Sequence, residues 1–188
     1  YTLTDKDGDV VTATATIAVG SNGNPAIVIT DNNGAAAGNI SVNEAGLATG
    51  SLNDGSHIAT GTMQVTASNG LASIDFGTVN VTAAQLAAAT VGAPVVIATP
   101  DGTINITSFT GGIINYSYTL TAAQTGPNAA STSVLDSITV TVNDNGGLTA
   151  GTTFTANIID DVPTAGDDNI STTLNTVITG SLALNDKV

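Results

Sequence analysis

Apolar and polar residues alternate along much of this chain, and one stretch of that alternation occurs twice. Val11, Ala13, Ala15, Ile17 and Val19 are interleaved with Thr12, Thr14, Thr16 and Ala18, a period of two that predicts a strand with one buried face. Tyr1-Thr2-Leu3-Thr4 has the same rhythm, and Asp5 to Asp9 supplies turn residues, so residues 1–19 read as a β-hairpin. A polar linker, Gly20 to Pro25, separates it from further strand patterns at 26–30, 40–43, 61–67, 71–76, 94–99, 103–109, 113–121, 134–142 and 152–159. One short helix is expected at 82–89, where Thr82 can cap Ala83-Ala84-Gln85-Leu86. Many short strands punctuated by turns predict an all-β, antiparallel sandwich.

The second copy of the pattern lies near the end. Ile138 to Val142 reads as a strand, Asn143 to Gly147 as a turn and Thr152 to Ile159 as the return strand. At an offset of 139 residues Asp5 falls on Asp144, Gly8 on Gly147, Thr16 on Thr155 and Val19 on Ile158. Pro25 and Pro163 match with one residue of slippage. A period this long predicts tandem domains rather than a solenoid of small repeats. Residues 24–163 form one complete unit, 1–20 the closing hairpin of a preceding one, and 164–188 the opening strands of the next. Both ends read as cuts through a longer polypeptide.

Composition sharpens this picture. Threonine, Val, Ile and Ala dominate; aromatic residues make up only 3% and Trp is absent, so the core must be aliphatic. No apolar run approaches the ~18 residues of a membrane span. Cysteine is absent, which fits a bacterial product that is exported unfolded and folds outside the cell. Fifteen acids stand against two lysines and no arginine, a formal charge of −13. That charge excludes nucleic acid as a partner, because phosphate contacts need Lys and Arg. It also repels itself unless something neutralises it. The acids gather in turns, at Asp5-Lys6-Asp7-Gly8-Asp9, Asp160-Asp161 and Asp167-Asp168. Short carboxylates in Asn/Gly turns suit calcium, which takes six to eight oxygen ligands. The plainer alternative is a solvated acidic surface.

Enzyme signals are poor. His57 is the sole histidine and reads as an exposed loop residue in Asn53-Asp54-Gly55-Ser56-His57. Zinc chemistry lacks its usual ligands. No serine sits in a Gly-x-Ser-x-Gly turn, and a glycosidase cleft would want aromatic platforms that the chain does not have to spare.

Several phrases together resemble a known family: Tyr1 to Asp9, Val42-Asn43-Glu44-Ala45-Gly46-Leu47, Val81 to Leu86, Tyr116-Ser117-Tyr118-Thr119-Leu120, and Ile158 to Ala165. They look like the immunoglobulin-like extender repeat, roughly 140 residues long, of giant type I-secreted RTX adhesins. The resemblance implies a calcium-dependent structural spacer of an extracellular, bacterial cell-surface or biofilm adhesin. Its partners would be neighbouring repeats of the same polypeptide. One departure stands out: where the family has an Asp-x-Asp-Gly-Asp turn, the complete unit has Asp144-Asn145-Gly146-Gly147. A site there is expected to be weakened or missing. The glycine-rich nonapeptides of the RTX calcium roll are absent.

In such a sandwich Asp31, Asp160 and Asp161 are expected at the downstream end, with Asp167 and Asp168 opening the next unit. Five carboxylates would then converge on one junction, and calcium would turn a flexible linker into a rigid joint. The Asp5, Asp7, Asp9 turn resembles half a calcium loop without the distal bidentate Glu, though Asp-Gly is also an ordinary hairpin turn. Glu44, the only glutamate, is either a ligand or an exposed acid. A second functional expectation is a ligand-binding module for sugar, ice or a partner surface, motivated by the Thr12-Thr14-Thr16 ladder. A third is head-to-tail assembly of copies into a fibre through the incomplete ends.

Overall fold

A computed structural model describes residues 1–15, 23–34, 36–124 and 133–161. Among the described residues the fold is mostly β, with 54% in strands and 6% helical, and two multi-strand sheets form a sandwich. Strands β1 (Thr2–Thr4) and β2 (Val10–Thr12) make a separate two-stranded hairpin. The sandwich begins with β3 (Ala26–Ile29), β4 (Ile40–Asn43), β5 (Ile58–Thr66), β6 (Leu71–Phe76) and β7 (Val79–Thr82). After helix α1 (Ala83–Ala88) come β8 (Val95–Ala98), β9 (Gly102–Thr110), β10 (Ile113–Leu120), β11 (Ser133–Asp144) and β12 (Thr149–Ile159).

One sheet has the order β3-β5-β10-β9-β8 and the other β4-β12-β11-β6-β7. The chain enters on the first sheet with β3 and crosses to the second with β4, as the first strand of an immunoglobulin-like sandwich does when it divides between sheets. All pairings are antiparallel except β4 on β12, which is parallel from Ile40–Ala156 to Asn43–Ile159. The strict period of two explains the layering. On β10, Ile114, Tyr116, Tyr118 and Leu120 turn inward and are buried, while Ile113 and Asn115 face out. On the facing sheet Val140, Val142, Phe154, Ala156 and Ile158 are buried. Phe154 stands between the two tyrosines, edge-on to Tyr116 with centroids 5.6 Å apart and tilted against Tyr118 at 5.8 Å.

The expected helix forms one turn and a half. Thr82 Oγ1 accepts from the Gln85 N–H, and the Gln85 side chain accepts from the Thr82 N–H, a reciprocal capping box. Its buried Leu86 ties the helix to β6, β7 and β9. Two elements escape the sequence pattern. Val79–Thr82 is a strand too short to show a period, and Glu44–Gly46 is a single 3₁₀ turn capped by Asn43 Oδ1.

The two hairpins anticipated from the repeated pattern share one geometry. Thr2 pairs with Thr12, Leu3 with Val11 and Thr4 with Val10; adding 139 to each number gives the observed pairs Thr141–Gly151, Val142–Ala150 and Asn143–Thr149. Both turns close with the same two backbone bonds. Asp5 N donates to Asp9 O and Gly8 N to Asp5 O; Asp144 N donates to Leu148 O and Gly147 N to Asp144 O. Gly8 and Gly147 have φ of 97° and 82°, the left-handed region that glycine enters without steric cost. The repeat positions Thr16, Val19 and Pro163, and the strands expected in 164–188, lie outside the described residues.

Candidate functional site: acidic turns and the acidic end of the sandwich

The N-terminal turn is built around Asp5. Its Oδ1 accepts the N–H groups of Asp7, Gly8 and Asp9 at 3.3, 3.1 and 2.9 Å. Hydrogen bonding with the Asp7 side chain, then these backbone donors, holds the Asp5 carboxyl below its ordinary range. Asp5, Asp7 and Asp9 are exposed, and each offers an oxygen within 4.8 Å of the others. Among the described residues this is the only group of three or more acidic side chains that approach so closely. The three carboxylates can supply half of a calcium shell.

At the equivalent turn of the sandwich, the carboxylate is consumed internally. Asp144 Oδ1 accepts from Gly146 N at 2.9 Å and Leu148 N at 2.8 Å, and Oδ2 accepts from Asn69 Nδ2 at 2.9 Å. Asn145 N donates to Gly70 O, so the 67–70 turn closes over this one. The Asn69 amide is the chief cause that lowers the Asp144 carboxyl, with the Leu148 and Gly146 N–H groups adding to it. Gly146 and Leu148 stand where the first turn has Asp7 and Asp9.

The far end of the sandwich, where β12 leaves, gathers a different set of acids. Glu44 is not an exposed acid: it is 4% exposed, and its Oε1 accepts from Gln124 N at 2.7 Å. Burial raises its carboxyl above the ordinary range, and the charges of Asp160 and Asp161 raise it further; the Gln124 and Asp161 N–H groups act the other way. Asp161 grips Ser51, accepting from its N–H at 2.7 Å on Oδ2 and from its Oγ at 2.6 Å on Oδ1. Asp31 does not join this set. Its Oδ1 caps Asn33 N at 3.0 Å, and its loop is tied through Asn39 to Thr155, five residues before Asp160 along β12. Asp167 and Asp168 lie outside the described residues. The structure therefore brings Glu44, Asp160 and Asp161 together and leaves Asp31 apart.

His57 is also more tightly held than its polar surroundings suggest. It is half-buried, with Nδ1 2.7 Å from Gly46 O.

Two further acids at this end escaped sequence reasoning. Asp136 on β11 is 1% exposed, and its Oδ2 accepts from Thr99 Oγ1 at 2.5 Å, Tyr118 Oη at 2.7 Å and Asp101 N at 3.2 Å. Its Oδ1 is buried without a partner. Burial, then the charge of Asp136, push the Asp101 carboxyl up, and burial pushes the Tyr118 hydroxyl well up. The network links the two sheets, since Thr99 follows β8, Tyr118 belongs to β10 and Asp136 belongs to β11. A signal was available: Asp136 falls in phase with Val140 and Val142, the inward positions of its strand.

No family model, curated protein or solved structure matches this chain. Among the described residues no helix is long and apolar enough to cross a membrane.

Proposed function

We propose that the chain is a calcium-stiffened structural spacer repeat of a large bacterial surface adhesin, whose sandwiches follow one another along a single polypeptide. The observation that carries this reading is the pair of hairpins with one register and one turn, 139 residues apart. A module that recurs at that distance suits a molecule whose job is length. The exposed Asp5, Asp7 and Asp9 oxygens support a cation at a turn, and the acids where β12 leaves support electrostatic control of the next joint. In this reading calcium is shared between an acidic turn and ligands from an adjoining module. Relief of carboxylate repulsion then favours a stiff joint over a loose one.

The test is calcium against EDTA on this chain, read by melting temperature and by small-angle scattering. Calcium is expected to raise the melting temperature and the maximum dimension together. An unchanged profile in both measurements removes the metal from the mechanism.

A further inference from the structure

An Asn–Gly pair is a place where a chain can modify itself. The glycine N–H loses its proton, and its nitrogen attacks the asparagine Cγ. The new N–Cγ bond forms as the Cγ–Nδ2 bond breaks, and ammonia carries the proton away. Water then opens the cyclic imide at either carbonyl, leaving aspartate or its β-linked isomer with one new carboxylate. Glycine favours the step because no side chain crowds the attacking nitrogen. In a folded protein the N–H must also be free, since a hydrogen bond keeps its proton and pins the nitrogen.

Three such pairs lie wholly within the described residues, and two of them are closed. Gly70 N donates to Ala67 O at 3.0 Å, and Gly146 N donates to Asp144 Oδ1 at 2.9 Å. The Asp–Gly pairs, which close the same ring with loss of water, are closed too. Gly8 N is held by Asp5, Gly55 N by Gly46 O and Gly102 N by Thr99 Oγ1. Gly34 differs. It is exposed, its N–H has no partner among the described residues, and nothing lies within 4 Å of where its Cβ would be.

We propose that Asn33 is a spontaneous deamidation site, which the fold selects from chemically equal Asn–Gly neighbours. Its side chain is held by one bond, from Nδ2 to Ala37 O at 2.8 Å, and its Oδ1 is buried without a partner. Ammonia leaves with Nδ2, so the reaction removes that bond and sets a carboxylate beside a carbonyl oxygen that has lost its donor. It also adds a negative charge two residues from Asp31, whose Oδ1 accepts the Asn33 N–H. The loop between β3 and β4 then loosens once and irreversibly, with no enzyme. The chemistry needs only the fold; its use as a timer of residence outside the cell rests on the spacer reading.

The experiment ages the full chain in mildly alkaline buffer and follows each Asn–Gly peptide by mass spectrometry as NH2 is exchanged for OH. Asn33 is expected to convert roughly tenfold faster than Asn69 and Asn145, because each of those must first break a hydrogen bond and open its turn. In urea the three rates are expected to converge. Asp144→Ala, which takes the acceptor from Gly146 N, is expected to speed Asn145 about fivefold and leave Asn33 unchanged. If that variant does not fold, the native and urea rates of the unaltered chain decide alone. Equal native rates at the three sites, or an Asn145 rate unmoved in folded Asp144→Ala, overturn the proposal. Failure here with calcium stiffening intact sinks the deamidation site alone; the converse leaves the chemistry and removes only its use in a calcium-stiffened spacer.

Discussion

The hairpin at Thr2–Thr12 and the hairpin of β11 with β12 share a register, a turn and a positive-φ glycine, yet their surroundings are opposite. In the second, Val142 is fully buried and Asp144 is sealed by Asn69. In the first, the equivalent Leu3 is 66% exposed and the equivalent Asp5 lies in an exposed turn beside the carboxyls of Asp7 and Asp9. The same local code therefore yields a core element in one place and an open, anionic turn in the other. What differs is what packs against it: the second hairpin is covered by earlier elements, with β6 beside β11, β4 beside β12 and Asn69 on the Asp144 turn. Sequence alone sets the hairpin; neighbours decide whether its Asp is a structural cap or an available ligand.

The sharpest way to break this comparison is to put a charge at the matched apolar position. Val142→Asp buries an unpaired carboxylate and is expected to cost about 4 kcal/mol or more in urea unfolding of the sandwich. Leu3→Asp is expected to stay within about 0.5 kcal/mol in the same measurement. Similar losses would mean that the first hairpin packs as the second does.

Removing the turn acids comes next. Asp144→Ala removes the acceptor of one Asn69 amide bond and of two N–H groups, so the melting temperature should fall by several degrees, while Asp5→Ala leaves the sandwich transition in place. The pH dependence gives a sign check. The Asp144 carboxyl is held below 3.8, so its stabilisation is complete above that value and fades as pH falls through the lower, folded one. The deficit of Asp144→Ala should shrink in acid accordingly, as chemical denaturation across pH can show. Glu44 runs the other way. Its folded carboxyl titrates above 4.5, so its contribution is present below 4.5 and is lost as pH rises through the folded value. Glu44→Gln should therefore flatten that part of the stability profile, with little loss near neutral pH.

The smallest effect concerns the metal itself. Calcium added to this chain is expected to shift the amide resonance of Gly8 and leave Gly147 in place, because the first turn groups three exposed carboxyls and the second has Asp144 alone. Installing Gly146→Asp with Leu148→Asp should make Gly147 respond as well. A calcium-sensitive Gly147 in the unaltered chain would erase the distinction between the turns.

Much of this was legible in advance because it depends on local rules. Alternation placed the strands, Thr82 announced the helix cap, and the offset of 139 placed two matching turns. The smaller number of carboxyls at the Asp144 turn was also readable, since Gly146 and Leu148 stand where the first turn has Asp7 and Asp9. Other features were not. Val79–Thr82 is too short to carry a period, and its strand exists because β6 offers it an edge. Asp31 was expected beside Asp160, but the 31–39 loop meets β12 at Thr155 rather than at its end. Glu44, between a strand and a glycine, read as either a ligand or an exposed acid, and His57 read as exposed because of its polar neighbours; in space, the 3₁₀ turn and the 120–124 segment cover the first and Gly46 O holds the second.

The sequence by itself determined the elements and their inward faces, because side-chain alternation and turn stereochemistry act within a few residues. It also determined the scarcity of positive charge, two lysines against fifteen acids. Only the tertiary structure decided which carboxylates are spent. Asp144 meets Asn69, Asp161 meets Ser51, and Asp136 meets Tyr118 across the two sheets. Hydrogen bonds between residues so far apart in the chain depend on strand order and register, which no local pattern encodes.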